Sequence, residues 1–135
     1  MKMRFYRCAV CGKVIAVLSD TGIPTICCGQ EMKELVPNKT DGAVEKHVPV
    51  FSQINNMVQV QIGSAFHPMT DSHSIHWIGL ETGRGFQFEM LHPGDSPEAY
   101  FCLCPEEQIK AVYGYCNLHG LWCAGAPLSA CQLND

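Results

Sequence analysis

The chain has 135 residues, 47% hydrophobic and 16% charged, with a formal net charge of −4 at pH 7. A disordered chain would be poorer in apolar residues and richer in charge, and an acidic chain with no run of Lys or Arg is a poor match for nucleic acid or an anionic membrane. No stretch approaches the roughly 18 apolar residues of a membrane span, and Met1-Lys2-Met3-Arg4 is not followed by a secretory apolar region, so a cytoplasmic protein is expected.

Residues 1–37 are expected to form a small first unit. A short strand over residues 4–7 leads into Cys8-Ala9-Val10-Cys11, and Gly12 allows the tight return that lets both sulfurs face one ion. A second strand over residues 14–18 and a turn over residues 19–24 precede Cys27-Cys28-Gly29, which completes a set of four thiolates. Adjacent ligands on an extended backbone point to opposite faces, so Cys27 and Cys28 must be bent toward one metal and the site is expected to be distorted. Four cysteines suit iron or zinc, and their spacing does not choose between them. A unit this small buries little apolar surface, so the ion supplies much of its folding free energy.

Residues 38–42 are rich in turn formers and are expected as a linker. From residue 43 to residue 126 the pattern is short strands between turn residues. Residues 57–62 alternate, with Val58, Val60 and Ile62 on one face, and residues 74–80, 85–91, 99–103, 111–115 and 121–124 continue the series. No helix of useful length is expected. Repeated short strands at this spacing predict an all-β antiparallel sandwich or barrel. Residues 127–135 are left as a tail.

Within this second stretch, Cys116-Asn117-Leu118-His119-Gly120 places a thiolate and an imidazole three residues apart on a tight loop. His47, His67 and His73 lie at loop or strand-edge positions from which they can converge on the same point. Pro49 and Pro68 stiffen the chain beside the first two. Five N and S donors leave an octahedral metal one open position, and an open position implies a substrate rather than a closed structural site. His76 falls on the opposite face of its strand from His73, and His92 lies in a turn; neither is expected to ligate. Of the nine cysteines, the remaining four, Cys102, Cys104, Cys123 and Cys131, are expected to be small buried apolar residues or exposed thiols.

The order and spacing of Glu45-Lys46-His47-Val48-Pro49, His67-Pro68-Met69, His73 and Cys116 to Trp122 resemble the superoxide reductases. The C-x-x-C followed by C-C-G resembles the desulforedoxin-like module of the two-centre desulfoferrodoxins. This resemblance implies an immunoglobulin-like catalytic domain. It also implies an iron held by His47, His67, His73 and His119 in a plane with Cys116 on the axis, and reduction of superoxide to hydrogen peroxide. Lys46 would attract superoxide, and Glu45 would take the sixth position after oxidation. The resemblance further implies iron in the Cys8, Cys11, Cys27 and Cys28 centre, a rubredoxin-like electron donor and a homodimer. Leu121 and Trp122 are expected to pack beneath the ligand loop. Two rival readings stay open on the residues alone: an electron carrier whose second site is closed, and a zinc-ribbon interaction module.

Overall fold

The computed structural model describes residues 3–40, 42–125 and 131. The chain divides into two compact units, Met1–Val36 and Pro37–Asp135. Apart from one helical turn, the regular structure of the described residues is antiparallel β.

In the first unit, β1 (Arg4–Arg7) lies between β2 (Val14–Val17) and, after the hairpin of β3 (Ile26–Cys27) and β4 (Gln30–Glu31), β5 (Lys33–Glu34). The three short strands β3 to β5 escape sequence patterning because two residues carry no readable alternation. Phe5, Cys8 and Met32 are the buried hydrophobic residues of this unit, a core too small to stabilise it alone.

The second unit opens with the single turn α1 (Val44–His47), followed by β6 (Pro49–Ile54), β7 (Met57–Ile62), β8 (Ile75–Thr82), β9 (Gly85–Met90), β10 (Glu98–Cys102), β11 (Ile109–Cys116) and β12 (Gly120–Gly125). One sheet has the order β10-β7-β6 and the other β12-β11-β8-β9. Val58, Val60 and Ile62 of β7, with Ala99 and Phe101 of β10, pack in one core with Ile78 and Leu80 of β8 and Val112 of β11. This is the antiparallel sandwich that the spacing of short strands predicts, and it agrees with the immunoglobulin-like domain that the resemblance implies. On the opposite face of β8, Trp77 stacks on Tyr115 at 5.8 Å and meets Phe88 edge-on at 5.5 Å. The central strand is thus covered on both sides, which suits its near-continuous burial.

Two local expectations are corrected. Glu45, Lys46 and His47 lie on α1 and not on an extended loop, and Pro49 begins a strand that pairs with Ile62. Helical geometry turns successive side chains by about 100°, so Glu45 and Lys46 are exposed while His47 is buried. The short turn is held from outside. Gly63 donates its N–H to the Val48 carbonyl at 3.1 Å, Ala65 donates to the Glu45 carbonyl at 2.8 Å, and the Ser64 hydroxyl reaches the same carbonyl at 3.3 Å. Residues 37–42 group with the second unit: Asn38 donates its backbone N–H to Leu121 at 3.0 Å, and its side chain bonds both peptide groups of Cys123, at 2.9 and 3.1 Å.

Gly63 has φ +79°, and a Cβ there would lie 2.6 Å from the carbonyl carbon and oxygen of Lys46. Gly63→Ala should therefore displace α1 and destabilise the protein by about 1–3 kcal/mol, read as a lower urea midpoint. Gly83→Ala, where nothing lies within 4 Å, should stay within about 0.5 kcal/mol of the parent.

Candidate metal centres

The sulfurs of Cys8, Cys11, Cys27 and Cys28 all lie within 4.8 Å of one another. Two different turns aim them. After β1, the amides of Val10 and Cys11 both donate to the Cys8 sulfur at 3.4 Å, and Gly12 closes the turn onto the Cys8 carbonyl at 2.9 Å. In the β3–β4 hairpin, Cys27 pairs with Gln30 across a two-residue loop in which Cys28 has φ 53° and Gly29 φ 73°. Positive φ at both central residues is the signature of a type I′ turn. The left-handed conformation of Cys28 is thus the bend that adjacent ligands require. Sulfur separations of 3.7 Å (Cys11 to Cys27) and 4.0 Å (Cys27 to Cys28) approach the edge of about 3.8 Å in a tetrahedron with bonds of about 2.3 Å. The set also favours a cation electrostatically. The amide of Cys11 lowers the Cys8 thiol to about 6, whereas hydrogen bonding to the Cys11 sulfur pushes Cys28 up to about 12. All four ionise together only with positive charge among them.

The second group comprises His47, His67, His73, Cys116 and His119, whose donor atoms also lie within 4.8 Å of one another. His47 comes from the end of α1, His67 and His73 from the segment between β7 and β8, and Cys116 from the end of β11. Cys116 pairs with Gly120 in the β11–β12 hairpin, so Asn117, Leu118 and His119 form its three-residue loop. The four imidazoles close a ring. Adjacent centroids are 4.7 Å (His47 to His67), 4.8 Å (His67 to His73), 5.1 Å (His73 to His119) and 4.7 Å (His119 to His47), each pair edge-to-face.

Hydrogen bonds fix which nitrogen faces inward. Nδ1 of His47 lies 2.7 Å from the Ala43 carbonyl and Nδ1 of His67 lies 2.7 Å from the Pro68 carbonyl. Each Nδ1–H donates to its carbonyl, which leaves Nε2 as the lone pair. The two Nε2 atoms stand 3.2 Å apart, near the edge of about 3 Å for a square of nitrogens bound at about 2.1 Å. His119 is reversed, with Nδ1 3.7 Å from the Cys116 sulfur. The Nε2 of His73 is buried with no hydrogen-bond partner. An orphaned nitrogen beside two others aimed at the same place is the mark of a missing cation. The donors fit an iron with one position open.

Cys116 has no exposed surface, and Trp122 stacks on His47 at 5.0 Å while donating Nε1–H to the His119 carbonyl at 3.0 Å. Leu121 is also buried. His73 and His119 are only half-buried, so the group is closed on the sulfur side and reachable along the histidine edge. Burial raises the Cys116 thiol, opposed by the amides of His119 and Leu118. Burial likewise lowers His47 and His73, and takes His67 to about 4. The charge of Lys46 contributes to the lowering at His47 and His73.

Glu45 and Lys46 are exposed neighbours of the donors and not among them. His76 is exposed and meets Tyr115 edge-on, and His92 lies 3.7 Å from Asp95. Cys102 and Cys104 are exposed thiols. Cys123 departs from the expectation of an unpaired cysteine, since it forms a disulfide with Cys131; the rest of the tail, residues 127–130 and 132–135, lies outside the described residues. The carbonyls of Ala43 and Pro68 and the Gly63 contact were not legible in the sequence, because main-chain acceptors carry no residue signature.

In metal-free protein these depressed histidines make stability depend on pH. The unfolded chain protonates near 6.5, whereas folded His67 resists protonation to about 4. Stability is then fully present above about 6.5 and lost progressively as pH falls toward about 4. Urea midpoints of metal-free protein should drop across that window.

Known proteins resemble both units of the chain. The family described as Desulfoferrodoxin matches residues 39–125, and that described as Desulfoferrodoxin, N-terminal domain, matches residues 1–35. A desulfoferrodoxin from Nitratidesulfovibrio vulgaris is 42% identical over 121 residues, covering 90% of this chain and 94% of that protein. One from Syntrophotalea carbinolica is 43% identical over 122 residues, covering 90% and 94%. The crystal structure of the superoxide reductase from Treponema pallidum superposes with a TM-score of 0.78 at 31% identity, over 92% of this chain and 99% of that one. With both units matched and the curated relatives covered over most of their length, the chain belongs to the desulfoferrodoxin family, in the form that carries both the N-terminal module and the main domain.

Proposed function

We propose that the chain is a superoxide reductase, in which His47, His67, His73, His119 and Cys116 would hold an iron that supplies the one-electron chemistry for reducing superoxide. Superoxide, one electron and two protons give hydrogen peroxide, with no oxygen formed. The observation that carries this reading is the donor set: four imidazoles in a closed ring, one buried thiol and an unpartnered His73 Nε2. Iron bound there would supply one-electron redox chemistry, and the Cys116 thiolate would increase its electron donation, as in haem thiolates. The name superoxide reductase also belongs to a Pyrococcus horikoshii relative, 35% identical over 95 residues that span 58% of this chain and 83% of that protein.

The remaining residues act around that centre. With neutral imidazoles and one thiolate, a ferrous iron held there would stay net positive. Lys46 adds an exposed ammonium near the half-buried edge, while the chain as a whole is negative. The anion is thus drawn by a local field. Glu45 would offer its carboxylate to the metal once it is oxidised, and protons would come from water. Cys8, Cys11, Cys27 and Cys28 hold a second metal, iron in this reading with zinc as the alternative. Rereduction comes from an external one-electron donor of the rubredoxin type, and the working form is a cytoplasmic homodimer. Cys123 and Cys131 are joined, but the other seven cysteines among the described residues are free, and thiols kept for metal ligation suit a reducing compartment. No helix of the described residues is long and apolar enough to cross a membrane.

Metal content and absorption test the whole reading. Two irons per chain are expected, and azide or cyanide should perturb the oxidised histidine–cysteine centre; zinc alone, or a spectrum blind to both anions, would remove the enzyme in favour of an interaction module or an electron carrier. Cys116→Ser should abolish turnover together with the thiolate-to-iron charge-transfer band. A retained band would identify another sulfur as the ligand.

Lys46→Ala should slow the second-order reaction with superoxide by about tenfold, within the range of electrostatic focusing. Its rate should also depend less on salt, since exposed charges are screened over about 8 Å at physiological ionic strength. Glu45→Ala should change the ferric spectrum and leave the first encounter nearly unaltered. Pulse radiolysis at several salt concentrations measures both, and a Lys46→Ala rate and salt slope equal to the parent's would make Lys46 a solvated charge without a role.

A further inference from the structure

The four histidines of the second group are not held alike. His47 and His67 are each locked through Nδ1 to a main-chain carbonyl. His119 has its Nδ1 beside the Cys116 sulfur and its carbonyl bonded to Trp122. Among the described residues His73 has a buried Nε2 without a partner, and its ring meets those of His67 and His119 edge-on. A half-buried imidazole with no ring hydrogen bond keeps its place only if its backbone is held.

That backbone is held on both sides. Thr70 donates its backbone N–H to the His73 carbonyl at 2.9 Å and its hydroxyl to the same oxygen at 3.1 Å, and the Thr70 oxygen accepts the His73 N–H at 3.1 Å. The flanking peptide groups go to Asn117. Its Oδ1 accepts the Ser74 N–H at 3.0 Å, its Nδ2 donates to the Ser72 carbonyl at 2.9 Å, and its own N–H donates to the Ser74 carbonyl at 3.3 Å. Asn117 follows Cys116 directly and lies two residues before His119, at the point where the β11–β8 register slips between Tyr115 and Cys116. Its amide continues, with a side chain, the pairing that the slip interrupts.

We propose that Asn117 is a positioning residue that sets His73 against Cys116 and His119, with Thr70 closing the other side of the brace. The chemistry demands an amide: one atom must accept from Ser74 while the other donates to Ser72, and no carboxylate does both. Asn117→Asp keeps the acceptor, loses the donor and places an anion against the Ser72 carbonyl. The inference rests on the iron-site reading above, and its test does not require superoxide turnover.

The iron-loaded protein is compared with Asn117→Ala, Asn117→Asp, Thr70→Val and Thr70→Ser by ferric EPR, by the charge-transfer band and by loss of iron to a chelator. Loss of an outer-shell partner weakens metal binding by about 10–100-fold. Asn117→Ala and Asn117→Asp should shift the EPR signal and release iron from the histidine–cysteine centre at least about tenfold faster, with the four-cysteine centre unchanged. Thr70→Val should act in the same direction, and Thr70→Ser should restore the parent signal. Parent-like EPR and iron retention in Asn117→Ala overturn the proposal, as does a lowered Tm with an unaltered spectrum, because a brace that only stabilises the loop leaves the metal's surroundings alone. Amide exchange at His73 and Ser74 in metal-free protein reads the brace separately: it should quicken in Asn117→Ala. A parent that takes no iron would sink the proposed function, and unchanged exchange would sink the brace.

Discussion

A buried thiol among four histidines depends on an ion for its charge. Cys116 is fully buried and resists ionisation, and burial keeps three of the imidazoles neutral. Among the described residues, no carboxylate belongs to the group. A divalent cation resolves every term at once: it ionises the sulfur, uses the inward lone pairs and occupies the orphaned Nε2 of His73. The surrounding fold is arranged to bring those donors together without filling the space between them.

The sandwich does this through strand ends. Cys116 closes β11, the hairpin loop carries His119, and the segment entering β8 carries His73. His47 is delivered by one helical turn whose carbonyls are bonded by residues 63–65, and His67 by a loop stiffened at Pro68. A helical turn this short is marginal by itself, so its shape comes from the strand-end contacts that surround it. The rigidity of the sheets is thereby transmitted to a site built from loops, the usual division of labour between scaffold and function.

The four-cysteine unit solves a related problem with far less chain. It has almost no core, and two turns of different kinds aim its sulfurs: an amide-lined turn for Cys8 and Cys11, and a left-handed hairpin loop for Cys28. Strain at Cys28 is tolerable when the bond to a metal offsets it. Cys123, bonded to Asn38 and joined to Cys131, serves the second unit as a strand residue and a tether, with no part in either donor group.

The residues themselves determined a good deal. The spacing of Cys8, Cys11, Cys27 and Cys28 defines a thiolate centre, because sulfur ligands must be close in space and short turns impose that. Alternation over residues 57–62 marks a half-buried strand, because side chains on a strand change face at every step. The family motifs named His47, His67, His73, Cys116 and His119 together. Only the tertiary structure decided the rest. It turned Glu45 to His47 into a helical stub, since its hydrogen-bond partners at residues 63–65 are distant in sequence. It paired Cys123 with Cys131, which spacing cannot dictate. It chose the tautomers of His47 and His67 through main-chain carbonyls that any residue could supply. It also bridged the loops of His73 and Cys116 through Asn117, a contact spanning more than forty residues. Local pattern encodes which atoms can bind, whereas the direction each one faces is settled by hydrogen bonds between segments that meet only in the folded chain.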